Sequence, residues 1–247
     1  MTVKKILISQ NPPRVLNGYQ ALKDKYGVEI DFRPFFKIVP LSLKEFRLQK
    51  INIPEYTAIV FSSRHAIDAF FAICEELHFR VPETMKYFCN SELVANYLQK
   101  HIVYRKRKIF FGDGSAESII SLIGTKHKNE HFLLTSSDSS NATTLSRLFD
   151  EKGLKWENAI LVKTVISDLK DLDINAYDLV VFYNNADVKS LGENFPGFKQ
   201  GDIRFMSYGK GVVKSMEEAG LRIDIKAPTP DAPSVASAID LYLKKEA

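Results

Sequence analysis

Apolar and polar positions along this chain fall into blocks that repeat. Tyr56 to Phe70, YTAIVFSSRHAIDAF, opens with an apolar run that ends at Ser62 and Ser63 and passes into a helix-spaced set, Ala66, Ile67, Ala69 and Phe70. Tyr177 to Leu191, YDLVVFYNNADVKSL, has the same form. Tyr177 answers Tyr56, Phe182 answers Phe61, and the polar turn Tyr183, Asn184, Asn185 answers Ser62, Ser63, Arg64. A short apolar run bounded by turn residues predicts a fully buried parallel strand, and the amphipathic pattern after it predicts the crossover helix of a βαβ unit.

The other blocks follow the same rule. Lys5 to Ser9 predicts a first strand, followed by a turn at Asn11, Pro12 and Pro13 and a helix through Leu22 and Tyr26 that Gly27 caps. Val28 to Val39 predicts one long extended segment. Phe132 to Ser136, a helix from Thr143 to Lys152, Gly153, and Lys155 to Val165 repeat that order of strand, helix, glycine and long strand. Met85 to Leu98 pairs with Ile203 to Met216, and Phe110 to Ile123 with Ile225 to Ile239.

The repeats are interleaved, because the unit that opens at Lys5 finds its remaining steps only after about Ser167. The expected fold is α/β, with two similar lobes, each a parallel sheet flanked by helices, joined by a double-stranded linker, the second lobe inserted into the first. Residues 1–38 with 167–247 form the discontinuous first lobe, and residues 39–166 form the inserted second lobe. Ile30 to Val39 and Ala159 to Ile166 run between them, a double connection that permits hinge motion and restricts twisting.

Composition narrows the function classes. A hydrophobic fraction of 45% against 26% charged residues is ordinary globular usage and excludes a disordered chain. A formal net charge of +4 suits an acidic small molecule and falls short of a dedicated nucleic-acid binder. Cys74 and Cys89 have neither CxxC spacing nor a histidine at ligand spacing, so they predict reduced buried thiols, with no disulfide framework and no zinc site. The apolar run Ile6 to Ile8 is too short for a signal peptide, and no stretch approaches membrane-spanning length. A cytoplasmic soluble protein is expected.

In open parallel sheets ligands bind at the carboxyl ends of the strands, where helix N-termini offer unpaired N–H groups and partial positive charge. The turns at Ser62 to His65, Asn90 to Glu92, Thr135 to Ser140, Asn184 to Asp187 and Gly209 to Gly211 occupy that position. Any one of them is ordinary turn chemistry; five at strand ends of two lobes predict a polar cradle for an acidic ligand, with the turns facing one another across a cleft. The substrate-binding candidates are Ser62, Ser63, Arg64, Asn90, Ser91, Ser136, Asn184, Asn185, Gly209, Lys210 and Gly211. Gly112-Asp113-Gly114 lacks the third glycine of a dinucleotide loop and reads as a turn, while Tyr104 to Lys108, YRKRK, reads as a solvated face.

The FSS turn at Phe61 to Ser63, the glycine turn at Gly209, Glu218 to Leu221 and above all Ala227 to Pro233, APTPDAP, resemble the uroporphyrinogen-III synthase family over nearly the whole chain. The resemblance implies an enzyme that closes hydroxymethylbilane into uroporphyrinogen III, inverting the last pyrrole ring and losing water. It implies no metal, no organic cofactor, no catalytic triad, a monomer, and a polycarboxylate tetrapyrrole as the small-molecule partner, with no nucleic acid and no membrane. Where the family commonly has Phe-Ser-Pro-Ser-Gly, this chain has Phe182-Tyr-Asn-Asn-Ala186; where it has Gly-Pro-Thr-Thr-Ala, this chain has Gly209-Lys-Gly-Val-Val213; and a linker tyrosine falls at Val162. The alternatives are a non-catalytic relative that binds an acidic tetrapyrrole, and a two-lobed small-molecule binding protein.

Overall fold

The computed structural model describes residues 3–137 and 144–246. By contacts they divide into two compact units, Met1–Lys37 with Val165–Ala247, and Ile38–Thr164.

The first unit holds β1 (Lys5–Ile8), α1 (Asn17–Tyr26) and β2 (Glu29–Phe32) before the chain leaves it. The chain enters the second unit along β3 (Phe36–Pro40) and builds α2 (Leu43–Leu48), β4 (Ala58–Phe61), α3 (Arg64–Glu76), β5 (Lys86–Cys89), α4 (Glu92–Tyr97), β6 (Ile109–Phe111), α5 (Ala116–Ile123), β7 (His131–Ser137) and α6 (Thr144–Glu151) there. It returns along β8 (Lys155–Ile166) and completes the first unit with β9 (Leu179–Phe182), α7 (Asn185–Asn194), β10 (Arg204–Tyr208), α8 (Lys210–Glu218), β11 (Ile225–Ala227) and α9 (Val235–Glu246).

The sheet of the first unit runs β11-β10-β9-β1-β2 and that of the second β3-β8-β7-β4-β5-β6. Laying β9 on β4 and β1 on β7 makes the two orders the same, with β3 added at one edge of the second sheet. The pairs β1–β2, β1–β9, β9–β10, β10–β11, β4–β5, β4–β7, β5–β6 and β7–β8 are all parallel. Helices flank each sheet, so its strands are apolar on both sides: Ile6 and Ile8 join one core and Leu7 the other, and Ile59 and Phe61 are likewise divided from Ala58 and Val60. Each large side chain so buried stabilises the fold by about 1.5–3 kcal/mol. Among the described residues, no helix is long and apolar enough to cross a membrane.

The segment expected as one strand from Val28 to Val39 is broken at Arg33 to Phe35, and its halves join different sheets. Pro34 has no N–H to give a ladder. Phe35 turns inward instead: its ring is fully buried, and its carbonyl accepts from the Ser190 hydroxyl (2.6 Å) and the Ser167 N–H (3.0 Å). β8 is unbroken over its whole length. The predicted cap at Gly27 is present, in the left-handed conformation at φ 67°, whereas the start of the helix expected from Thr143 lies outside the described residues.

Candidate functional site

In the second unit the carboxyl ends of the strands are tied together by hydrogen bonds. The Asn90 N–H donates to the Phe61 carbonyl (3.0 Å), Gly112 N–H to Cys89 (2.9 Å) and Gly114 N–H to Asn90 (2.9 Å). The Thr135 hydroxyl donates to the Val60 carbonyl (2.9 Å) and accepts from the Ser62 N–H (3.4 Å). These bonds bring Ser62, Asn90 and Ser136 around one cavity of about 530 Å³, whose apolar floor includes Val60, Ile119 and Leu134. Asn158 Nδ2 donates to the Ser136 hydroxyl oxygen (2.8 Å), which leaves the Ser136 O–H proton to donate to a ligand.

Ser63 caps α3. Its hydroxyl oxygen accepts the Ala66 N–H (3.2 Å), so its own proton is also left to donate. Neither Ser63, Arg64 nor Ser91 lines the cavity. Arg64 is exposed on the first turn of α3, 5.8 Å from the centre of the Tyr97 ring, and Ser91 is the N-cap residue of α4. Thr135 to Ser137 continue β7 as strand rather than forming the expected turn, and Asp138 to Ser140 lie outside the described residues. Trp156 and Asn158 on β8 line the cavity although sequence reasoning did not place them at the site. Their signal is the alternation of β8, which puts both on one face of the sheet.

In the first unit the two corresponding turns differ. After β9 the turn closes on itself: Asn184 Oδ1 accepts from Ala186 N–H (2.9 Å) and Asp187 N–H (3.3 Å), and Asp187 Oδ2 accepts from Tyr183 N–H (2.8 Å) and Asn184 N–H (3.2 Å). What remains for a ligand is the Asn184 amide nitrogen and the exposed Asn185 side chain. Asp187 itself is fully buried. Burial pushes its carboxyl up to about 6, while the Tyr183 amide, the nearby Ser9 hydroxyl and the Asn184 amide pull the other way.

After β10 the turn stays open. Gly209 is the N-cap of α8 at φ 112° and ψ 149°, a conformation that favours glycine, and no side chain caps the helix. The Gly209 N–H is engaged by the Ala227 carbonyl (2.7 Å), so the donors left at this end are those of the first turn, beginning at Lys210 and Gly211. Lys210 is exposed and forms no ion pair among the described residues. Positive side chain, uncapped amides and helix dipole all favour a carboxylate here. The Tyr208 hydroxyl donates to the Pro233 carbonyl (2.9 Å), anchoring the APTPDAP segment beside this turn.

The sequence from residue 18 to 237 matches the family model described as uroporphyrinogen-III synthase HemD. The chain belongs to the uroporphyrinogen-III synthase family. Membership makes it an enzyme of tetrapyrrole biosynthesis, and two solved synthases have the same fold. A mutant uroporphyrinogen III synthase from the extremely thermophilic bacterium Thermus thermophilus is 12% identical, with 99% of this chain and 100% of that chain covered at a TM-score of 0.58. Uroporphyrinogen-III synthetase from Helicobacter pylori is 16% identical, with 98% of this chain and 99% of that chain covered at a TM-score of 0.60. Among curated proteins none matches in sequence.

Proposed function

We propose that this chain is a cytoplasmic hydro-lyase that closes hydroxymethylbilane into uroporphyrinogen III, and that strand-end donors bind carboxylates of that substrate. The observation that supports it is the set of unspent donors at the strand ends: the Ser63 and Ser136 hydroxyl protons, the uncapped amides of α8, and Lys210. In the reaction the terminal C–O bond breaks and the hydroxyl leaves as water with one proton taken up; two C–C bonds form to the last ring, its original C–C bond to the chain breaks so that the ring is inverted, and one ring carbon gives up a proton. Donors that fix the flexible chain in one fold lower the entropic part of the barrier, and donors near the departing hydroxyl stabilise developing charge.

The test is a coupled assay with hydroxymethylbilane that separates the type III product from the spontaneous type I product. Type III product is expected. Type I alone, at every protein concentration, overturns the enzyme reading.

One observation favours a second reading, a relative that binds an acidic tetrapyrrole without turning it over. The turn after β9 spends the Asn184 side-chain carbonyl and four backbone amides internally, and at the positions of the family's serines it carries Tyr183 and Asn185. On that reading the same assay yields type I product while uroporphyrin still binds.

A further inference from the structure

A second cavity, of about 400 Å³, lies in the second unit and shares no lining residue with the first. It is walled by the last turns of α3 at Phe71 and Cys74, by the starts of β5 and β6 at Tyr87 and Ile109, and by the loops that precede those strands. α3 leaves the carboxyl end of β4 and runs back along the sheet, so this cavity sits at the amino ends of the strands, away from Ser62, Asn90 and Ser136.

Its chemistry is that of a ligand site. Tyr87 is 4% exposed and lines the cavity, and its hydroxyl, which keeps access to solvent, forms no hydrogen bond among the described residues. The rings of Phe71 and His101 are stacked, 4.6 Å apart and 5° from parallel, and His101 Nε2 is held 2.8 Å from Asp68 Oδ1, which makes a fixed flat wall. Arg80, Arg105, Lys108, Glu75 and Glu83 stand around it. Arg105 is spent on Glu83 (3.2 Å), whereas Arg80 and Lys108 form no ion pair among the described residues. Val103, 79% exposed, supplies further apolar surface.

We propose that this cavity binds a small planar aromatic carboxylate, with its ring against the Phe71–His101 wall and its carboxylate held by Arg80, Lys108 and the Tyr87 hydroxyl. Aromatic walls supply the area, and a few convergent donors fix the orientation. Charge-assisted bonds to the two cations supply the preference for an anion.

Indole-3-acetate is the probe, titrated calorimetrically into the full chain. One saturable site is expected, weakened about tenfold by Arg80→Ala or by Lys108→Ala, a loss typical of one charge-assisted contact. Tyr87→Phe keeps the packing and is expected to weaken binding a few-fold, while Lys210→Ala leaves it unchanged. Arg80 is exposed and Lys108 half-buried, so neither substitution threatens the core. Absence of saturable binding, an affinity indifferent to both cation substitutions, or a loss caused by Lys210→Ala overturns the proposal.

Discussion

Asp187 is a carboxylate taken wholly out of water at the start of a helix, and its protonation is coupled to folding. With an unfolded value near the ordinary carboxylate range and a folded value of about 6, the folded state binds the proton more tightly between those limits. Its contribution is therefore fully present below about pH 4 and falls as pH rises through 6, by roughly 2–3 kcal/mol in all. Asp68 and Glu45, both held at about 2, act in the opposite sense: desolvation would raise Asp68 but is outweighed by Tyr97, His101 and Lys100, and Glu45 is lowered by Lys163 and Ser42. The effect is consequently read as a difference. Urea midpoints at pH 4.5 and pH 7 are expected to show a smaller loss toward pH 7 in Asp187→Asn than in the unsubstituted protein; equal slopes would refute the assignment. At Lys210 the expected effect is on binding: Lys210→Ala weakens uroporphyrin III about tenfold in a fluorescence titration, the loss of one charge-assisted contact. Added salt should weaken the unsubstituted protein's binding as well.

Among the elements, α7 and α8 begin in opposite ways, one closed by Asn184 and Asp187 and the other left open at Gly209. Proline is tolerated in the first turn of a helix, so Gly211→Pro removes one of the uncapped amides of α8 at modest cost to the fold. Its formation of type III product is expected to fall further than that of Ser63→Ala or Asn184→Ala, since each of those also leaves the neighbouring backbone donors in place. An equal loss in all three variants, with thermal midpoints unchanged, would argue against backbone donors. The strand, turn and helix steps were legible in the sequence because a parallel strand buried on both faces reads as an unbroken apolar run, as in Ala58 to Phe61 and Leu179 to Phe182. The break at Pro34 was less so, since Phe35 and Phe36 look like more strand until the inward turn of Phe35 is seen. At the strand ends Ser62 and Asn90 could be named from the turns that carry them, whereas Ser136, expected in a turn, is still part of β7. Trp156 and Asn158 could not, because they reach the cavity through the register of β8 against β7, which pairs Trp156 with Phe132 and Asn158 with Leu134.

On the scale of the whole molecule, the first unit is made of two chain segments whose ends touch. Ser167 N–H lies 3.0 Å from the Phe35 carbonyl, and in the second unit Leu41 N–H lies 2.9 Å from the Leu161 carbonyl. A short flexible loop in place of residues 38–164 therefore needs to span almost no distance, and closing it carries little entropy. That deletion variant is expected to fold cooperatively by circular dichroism and calorimetry; a molten, non-cooperative product would mean that the first unit needs the second. The middle place of β1 in its sheet, between β2 and β9, has a further consequence during synthesis on the ribosome. Ile6 to Ile8 must wait, one hydrogen-bonding edge unpaired, until Leu179 to Phe182 have emerged, while the intervening unit has time to fold. A message truncated between Ile166 and Leu179 yields a finished second unit trailing an apolar ribbon with an open edge, the kind of nascent chain that joins to its neighbours.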